Sequence, residues 1–217
     1  MLPEIFSSID LVFWDWNGTL IDDLELCRMI INESLEKRSM PAVSRERYLE
    51  IFQFPVVNYY NALGFDLQVE SFAQVGKEFI DAYASRMLHC PLHNYSRQAL
   101  ELLQRDGKRQ CVLSALQKDS LEKVLAKFSL SSFFDIVRGL DDHLAHGKIE
   151  LGRALIADAN AALDRTILIG DTVHDFETAD ALGIKCVLVA AGHNSRLRLE
   201  KCGVPVFDSL QELFSLV

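Results

Sequence analysis

Leu11-Val12-Phe13-Trp14-Asp15-Trp16-Asn17-Gly18-Thr19-Leu20 is the stretch on which the reading of this chain turns. Its first four residues are bulky and apolar without alternation, the pattern of a strand buried on both faces of a parallel sheet. The run then places a carboxylate, Asp15, just where the strand should end at Gly18-Thr19. A carboxylate there can attack an electrophile, bind a hard cation, or do both. Alternatively, Asp15 and Asn17 stabilise a plain turn by bonding to nearby backbone N–H groups.

Outward from that stretch the chain changes character twice. From Ile21 to about Cys90 the apolar residues recur at helical spacing and no strand is convincing. Leu24, Cys27, Ile30, Ile31 and Leu35 mark one helix, a second follows Ser44, a short third closes at Gly64, and 69–88 suits one long helix. From Pro91 onward helices alternate with short apolar strands over 109–114, 134–137, 166–170, 185–189 and 204–207. Such alternation predicts an α/β fold, a Rossmann-like parallel sheet with right-handed crossovers and ligands beyond the carboxyl ends of its strands. The expected organisation is a core of residues 1–20 and 91–217, with a small all-helical cap domain, 21–90, inserted after the first strand and hinged to rock over the site.

The 217 residues suffice for a sizeable core, and 49% hydrophobic with 24% charged residues is ordinary for a globular chain. A formal charge of −9 and the lack of a Lys/Arg cluster argue against a nucleic-acid surface. Small anionic substrates remain open, because a local metal and lysine can override the global sign. The first residues lack the basic region of a signal peptide, and no apolar run approaches a bilayer's thickness. Five cysteines, an odd number without Cys-x-x-Cys spacing, read as reduced core residues. The expectation is a cytoplasmic monomer or homodimer with no nucleic-acid or membrane partner.

At or beyond the predicted strand ends stand Asp15, Ser114, Lys148 and Asp171. Ser114 and the backbone N–H groups beside it can hold a phosphate oxygen, or merely end a strand. Lys148, in His146-Gly-Lys-Ile149, can neutralise a second oxygen or sit solvated in a loop. Gly170-Asp-Thr-Val-His-Asp175 sets two acids four residues apart across a strand-to-helix turn. That spacing can bring both carboxylates to one Mg²⁺, or simply cap the helix. His143 and His146, beside Asp141 and Asp142, resemble a metal cluster loosely and fit a solvated loop as well.

These motifs, in this order and approximate spacing, resemble the four motifs of the haloacid dehalogenase (HAD) superfamily over nearly the whole chain. The place of the helical insertion and the ending Gly183-Ile-Lys-Cys-Val-Leu-Val-Ala-Ala-Gly-His-Asn-Ser195 are similar to the phosphoglycolate phosphatase-like branch. The resemblance implies a Mg²⁺-dependent phosphatase or phosphotransferase for a small phosphorylated metabolite, with Asp15 attacking phosphorus to form an aspartyl-phosphate. It implies Mg²⁺ held by Asp15, the backbone carbonyl of Asn17 and Asp171, with Asp175 bound through water or one layer behind. Ser114, Lys148, Gly18 and Thr19 would hold the phosphoryl group.

The chain departs from the family at Asn17, where its phosphatases carry an aspartate that serves as acid and then as base. Asparagine keeps a carbonyl and can donate a hydrogen bond, but it cannot exchange a proton near neutral pH. Losing a positioned acid/base typically costs about a hundred- to ten-thousand-fold in rate. Three ways out are a substrate that needs little acid help, a proton from His174, His146 or Asp22, or a regulatory domain that binds phosphate and turns it over slowly. Asp171 and Asp175 speak against dehalogenation, whose enzymes place tyrosine at position 17. A phosphonatase-like hydrolase would need a cap lysine, for which Lys37 and Lys77 are available. Substrate choice falls to the cap, with the aromatic stretch 52–60 as either the face over the site or the cap's own core.

Overall fold

A computed structural model describes residues 2–140 and 147–215. At its centre β1 (Leu11–Trp14) pairs in parallel with β2 (Arg109–Gln117) on one side and β4 (Thr166–Gly170) on the other. β3 (Ile136–Leu140) lies outside β2, while β5 (Lys185–Val189) and the short β6 (Val206–Phe207) lie outside β4. The order is therefore β3-β2-β1-β4-β5-β6, all parallel. Every residue of β1 is buried, as its unalternating apolar run requires. Val12 and Trp14 belong to one packing layer, Leu11 and Phe13 to the other.

Between β1 and β2 come α1 (Leu24–Glu36), α2 (Arg45–Ile51), α3 (Val56–Leu63) and α4 (Phe72–Arg86), and α5 (Ser96–Arg105) then leads into β2. Local chemistry sets these bounds. Ser44 accepts from the Arg47 N–H and Ser71 from the Gln74 N–H, while Gly64, with φ 92°, ends α3 in the left-handed region. The Ser71 cap is why α4 begins at Phe72 rather than near Val69. The segment's entry and exit run side by side, with the Asp22 N–H on the Pro91 carbonyl at 2.9 Å and the His93 N–H on the Leu20 carbonyl at 3.0 Å. Trp16, Leu20 and Ile21 join Tyr48, Tyr59, Val75 and Tyr83 in an apolar cluster continuous with Val12, Trp14 and Ile167 of the sheet. Each large side chain buried there contributes about 1.5–3 kcal/mol, which ties the segment to one face of the sheet.

The second half continues with α6 (Lys118–Lys127), α7 (Lys148–Ala159), α8 (Val173–Leu182), α9 (Arg196–Leu199) and α10 (Leu210–Ser215). Two helix starts matter for the site: α7 begins at Lys148 itself, and α8 at Val173. Both place the candidate residues on rigid helix ends instead of in loops. The last strand shrinks to two residues. All five cysteines are free, and Cys27, Cys90, Cys111 and Cys186 are buried. Among the described residues no helix is long and apolar enough to cross a membrane. The loose cluster of Asp141, Asp142, His143 and His146 lies outside the described residues.

Candidate active site

The winding of the sheet reverses at β1, which opens a crevice beyond the carboxyl ends of β1, β2 and β4. Asp15 follows β1, Asp171 follows β4, and Lys148 enters from the first turn of α7. Lys148 Nζ bridges Asp15 Oδ1 and Asp175 Oδ1 in two buried ion pairs. Thr19 Oγ1 lies 3.1 Å from Asp15 Oδ2 and 3.0 Å from Asp171 Oδ1. One hydroxyl proton cannot serve both carboxylates fully, and among the described residues the one ammonium here, Lys148, already serves Asp15 and Asp175. Burial, against the pull of Lys148, accordingly pushes the Asp15 carboxyl up to about 6. Asp171 is also raised, by burial and by the charges of Asp15 and Asp175, although His193 opposes this.

Asp15, Asp171 and Asp175 can each offer an oxygen within 4.8 Å of the others. Three buried carboxylates facing one lysine form an all-oxygen donor set short of positive charge, which fits a hard divalent cation. Their parts differ. Asp175 Oδ2 accepts from the Thr172 N–H at 3.0 Å, the Thr172 hydroxyl at 2.6 Å and the Asp171 N–H at 3.2 Å. With Oδ1 on Lys148, Asp175 is held as a helix cap and a lysine anchor. Lys148 and those bonds outweigh burial and lower its pKa. Ser114 is fully buried at the neighbouring strand and accepts from the Leu116 N–H at 3.0 Å, so its hydroxyl proton is not used in that bond.

Asn17 is turned toward a second network that the sequence reading missed. Its amide Nδ2 donates to Asp23 Oδ2 at 2.7 Å and to the Tyr83 hydroxyl at 2.6 Å, so both amide hydrogens are engaged. Tyr83 donates in turn to Asp23 Oδ2 at 2.7 Å. Asp23 sits at the N-cap of α1 without capping it. Its Oδ1 instead accepts from the Gly18 N–H at 2.9 Å and meets His193 Nε2 at 3.1 Å. Burial works against the charge on His193, but Asp23 outweighs it and raises the imidazole to about 9. Burial likewise opposes ionisation of Asp23, yet His193, Asn17 and Tyr83 hold its carboxyl down at about 2. His193 Nδ1 meets the Tyr48 hydroxyl at 3.0 Å, and the His193 N–H donates to Asp171 Oδ2 at 2.6 Å. The second network is thereby joined to the first.

Two glycines let these groups converge. A Cβ on Gly192 would overlap Asp171 Oδ2 and the Gly18 carbonyl, and one on Gly18, whose φ is +76°, would overlap Asp171 and His193. The only signal for His193 and Gly192 was their place in Gly192-His-Asn-Ser195 just past the end of a parallel strand. Asp23 was hidden because Asp22-Asp23 reads as an ordinary helix start.

The aromatic stretch divides its labour. Tyr59 and Tyr60 are buried in the segment's core, whereas Phe52 and Phe54 reach the site loops. The Phe54 ring lies on His174 with centroids 4.6 Å apart, and the Phe52 ring is 5.2 Å from His193. Asn194 and Arg198 fasten that loop by donating to the Phe52 carbonyl at 3.0 and 2.7 Å. Lys37 and Lys77 are exposed, facing Glu78 and Asp81 respectively. Asp22 is exposed, and His174 faces Glu177 at 3.4 Å. A surface cavity of about 600 Å³ between Met29, Glu33 and Met40 holds none of these residues; one of about 320 Å³ borders Thr19 and His93.

Comparison with known proteins places this geometry in context. A model described as haloacid dehalogenase-like hydrolase matches residues 12–189. A phosphoglycolate phosphatase of Pseudomonas syringae pv. syringae is 23% identical over 215 residues, 94% of this chain and 78% of its own. The pyrophosphatase PpaX of Halalkalibacterium halodurans is 24% identical over 184 residues, 84% of each chain. The crystal structure of a predicted phosphatase from Clostridium acetobutylicum superposes with a TM-score of 0.80 at 21% identity, covering 94% of this chain and 96% of that one.

Proposed function

The chain belongs to the haloacid dehalogenase-like hydrolase family, as an enzyme of the phosphatase type like its relatives, and from that premise we propose that it hydrolyses small phosphorylated metabolites through a phosphoryl group carried on Asp15. The observation that carries this reading is the buried set of Asp15, Asp171 and Asp175 around a single Lys148. Bound Mg²⁺ would supply the positive charge that lets a carboxylate approach a phosphate dianion. Asp15 and Asp171, with the Asn17 backbone carbonyl, are the residues to hold it, and Asp175 stands behind through Lys148.

In this reading Asp15 Oδ attacks phosphorus in line, and the P–O bond to the leaving group breaks. Lys148, Thr19, the Ser114 hydroxyl and the backbone around Gly18 steady the equatorial oxygens. Asn17 cannot deliver a proton to the leaving group, and its hydrogens already serve Asp23 and Tyr83. Its side-chain carbonyl oxygen is what remains to orient the hydrolytic water, which attacks phosphorus as the Asp15 Oδ–P bond breaks, with its proton passing to bulk water because position 17 holds no carboxylate to take it. Residues 21–90 act as a cap in this scheme, the protein works in the cytoplasm as a monomer or homodimer, and no nucleic acid or membrane takes part.

The test is phosphate release from p-nitrophenyl phosphate, with and without Mg²⁺, by wild type and Asp15→Asn. Mg²⁺-dependent release in wild type and none in the variant is the expected result. Turnover that persists in Asp15→Asn would remove Asp15 as nucleophile. The locked amide of Asn17 favours one second reading, a slow phosphate-binding domain. Beryllofluoride binding with Mg²⁺ but no turnover of any phosphate ester would select it.

A further inference from the structure

Beside the all-oxygen set, the described residues hold a second group of converging donors with a different chemistry. Asp23, Cys27 and His193 are all buried, and each can offer one ligand atom within 4.8 Å of the other two. Asp23 stands at the N-cap of α1 and Cys27 four residues on, with the Cys27 N–H on the Asp23 carbonyl at 2.9 Å, so one helical turn stacks their side chains. His193 meets them from the other side, in the loop after β5.

The separations suit a zinc ion. Cys27 Sγ lies 3.6 Å from Asp23 Oδ2, and His193 Nε2 lies 3.1 Å from Asp23 Oδ1. Tetrahedral zinc, with bonds of about 2.0 Å to nitrogen and oxygen and about 2.3 Å to sulfur, sets ligand edges of about 3.3 Å between nitrogen and oxygen and about 3.5 Å between sulfur and oxygen. The donors already stand close to those edges. A thiolate, a carboxylate and a neutral imidazole carry two negative charges, which one Zn²⁺ balances, and the mix of sulfur, nitrogen and oxygen favours Zn²⁺ over Mg²⁺. The Tyr48 hydroxyl meets His193 Nδ1 at 3.0 Å and leaves Nε2 to face the metal, while the Gly18 N–H and the Tyr83 hydroxyl hold the two oxygens of Asp23 at 2.9 and 2.7 Å. Partners of this kind fix the orientation of zinc ligands.

We propose that Asp23, Cys27 and His193 form a second metal site, selective for Zn²⁺, that staples α1 of the helical segment to the loop after β5. As the metal bonds form, the Cys27 thiol proton and the His193 Nε2 proton pass to solvent, and a solvent oxygen completes four-coordination. The site does not depend on the phosphatase reading, because none of its side chains belongs to the all-oxygen set.

The test adds metal to the metal-free chain in excess Mg²⁺, which competes for the all-oxygen carboxylates. Co²⁺, a spectroscopic stand-in for Zn²⁺, should give a sulfur-to-cobalt charge-transfer band in the near ultraviolet, and added Zn²⁺ should displace it. The band should be lost in Cys27→Ser and kept in Asp15→Asn. Zn²⁺ should raise the Tm of wild type and leave that of Cys27→Ser unchanged. X-ray absorption of the wild-type zinc form, which needs no variant to fold, should show a sulfur neighbour at about 2.3 Å beside nitrogen and oxygen at about 2.0 Å. A zinc shell without sulfur, a cobalt band that survives Cys27→Ser, or a wild type that takes up neither ion overturns the proposal. Release of phosphate from p-nitrophenyl phosphate is scored separately. Zinc bound through Cys27 in a chain that releases none would defeat the phosphatase reading while leaving the second metal site standing.

Discussion

Asn17 and Asp23 form a matched pair whose order of charge matters. The Asn17 amide supplies two hydrogens, and the Asp23 carboxylate and Tyr83 hydroxyl receive them at 2.7 and 2.6 Å. Restoring the family's aspartate by Asn17→Asp would set one carboxylate against another where a hydrogen bond now stands. The expected outcome is a stability loss of about 3 kcal/mol. Adding Asp23→Asn to that variant should return most of the lost stability, because the complementary order is restored in reverse. Urea unfolding of the single and double variants measures both changes, and a single variant as stable as wild type would refute the pairing. The pair gives Asn17 a structural partner that its place in the motif does not show. Its partner lies six positions on, and only the fold of 17–23 brings them together.

At the scale of elements, helix starts position Lys148 and Asp175. Thr172 and Asp175 form a reciprocal capping box at the start of α8, and the same Asp175 holds Lys148 on the first turn of α7. Thr172→Ala should therefore cost about 1–2 kcal/mol in thermal unfolding and lower kcat more than it raises KM, since it frees the anchor of Lys148. A stability loss with unchanged kinetics would show that the cap and the lysine are independent. The strands and most helices were legible in the sequence because burial on two faces writes continuous apolar runs and amphipathic helices write a regular spacing. Asp15, Lys148, Asp171 and Asp175 were legible too, since each sits at an element's end. Asp23, His193, Tyr48 and Tyr83 were not. Tyr83 falls within the helix expected over 69–88 and packs in the buried cluster, but its hydroxyl tip has a polar task that periodicity cannot reveal.

Across the molecule the sheet presents buried charge, and the helical segment closes over it, which makes stability depend on pH and, in the proposed reading, on Mg²⁺. His193 has its pKa raised to about 9 from the ordinary 6.5, so its contribution is complete below 6.5 and lost as pH rises through about 9. Asp23 is lowered to about 2 from 3.8, so its contribution is present above 3.8 and lost as pH falls through about 2. Asp15 is raised to about 6 from 3.8, so ionising it in the fold weakens the metal-free protein as pH climbs between those values. Asp171 acts in the same sense. The metal-free Tm should fall from about pH 4 toward pH 9, and the rise in Tm on adding Mg²⁺ should be larger near pH 8 than near pH 5. A Mg²⁺ increment independent of pH would contradict the placement of the cation among these carboxylates. In the proposed mechanism the reacting atom is a carboxylate oxygen of Asp15, whose Oδ1 faces Lys148 and whose Oδ2 lies 3.1 Å from the Thr19 hydroxyl. Acid quench of a single turnover with p-nitrophenyl phosphate, followed by mass spectrometry of the peptide that contains Asp15, tests that claim most directly. The account predicts a phosphoryl group on Asp15 that accumulates, because Asn17 cannot take the proton of the hydrolytic water; phosphate release with Asp15 unmodified throughout would contradict it.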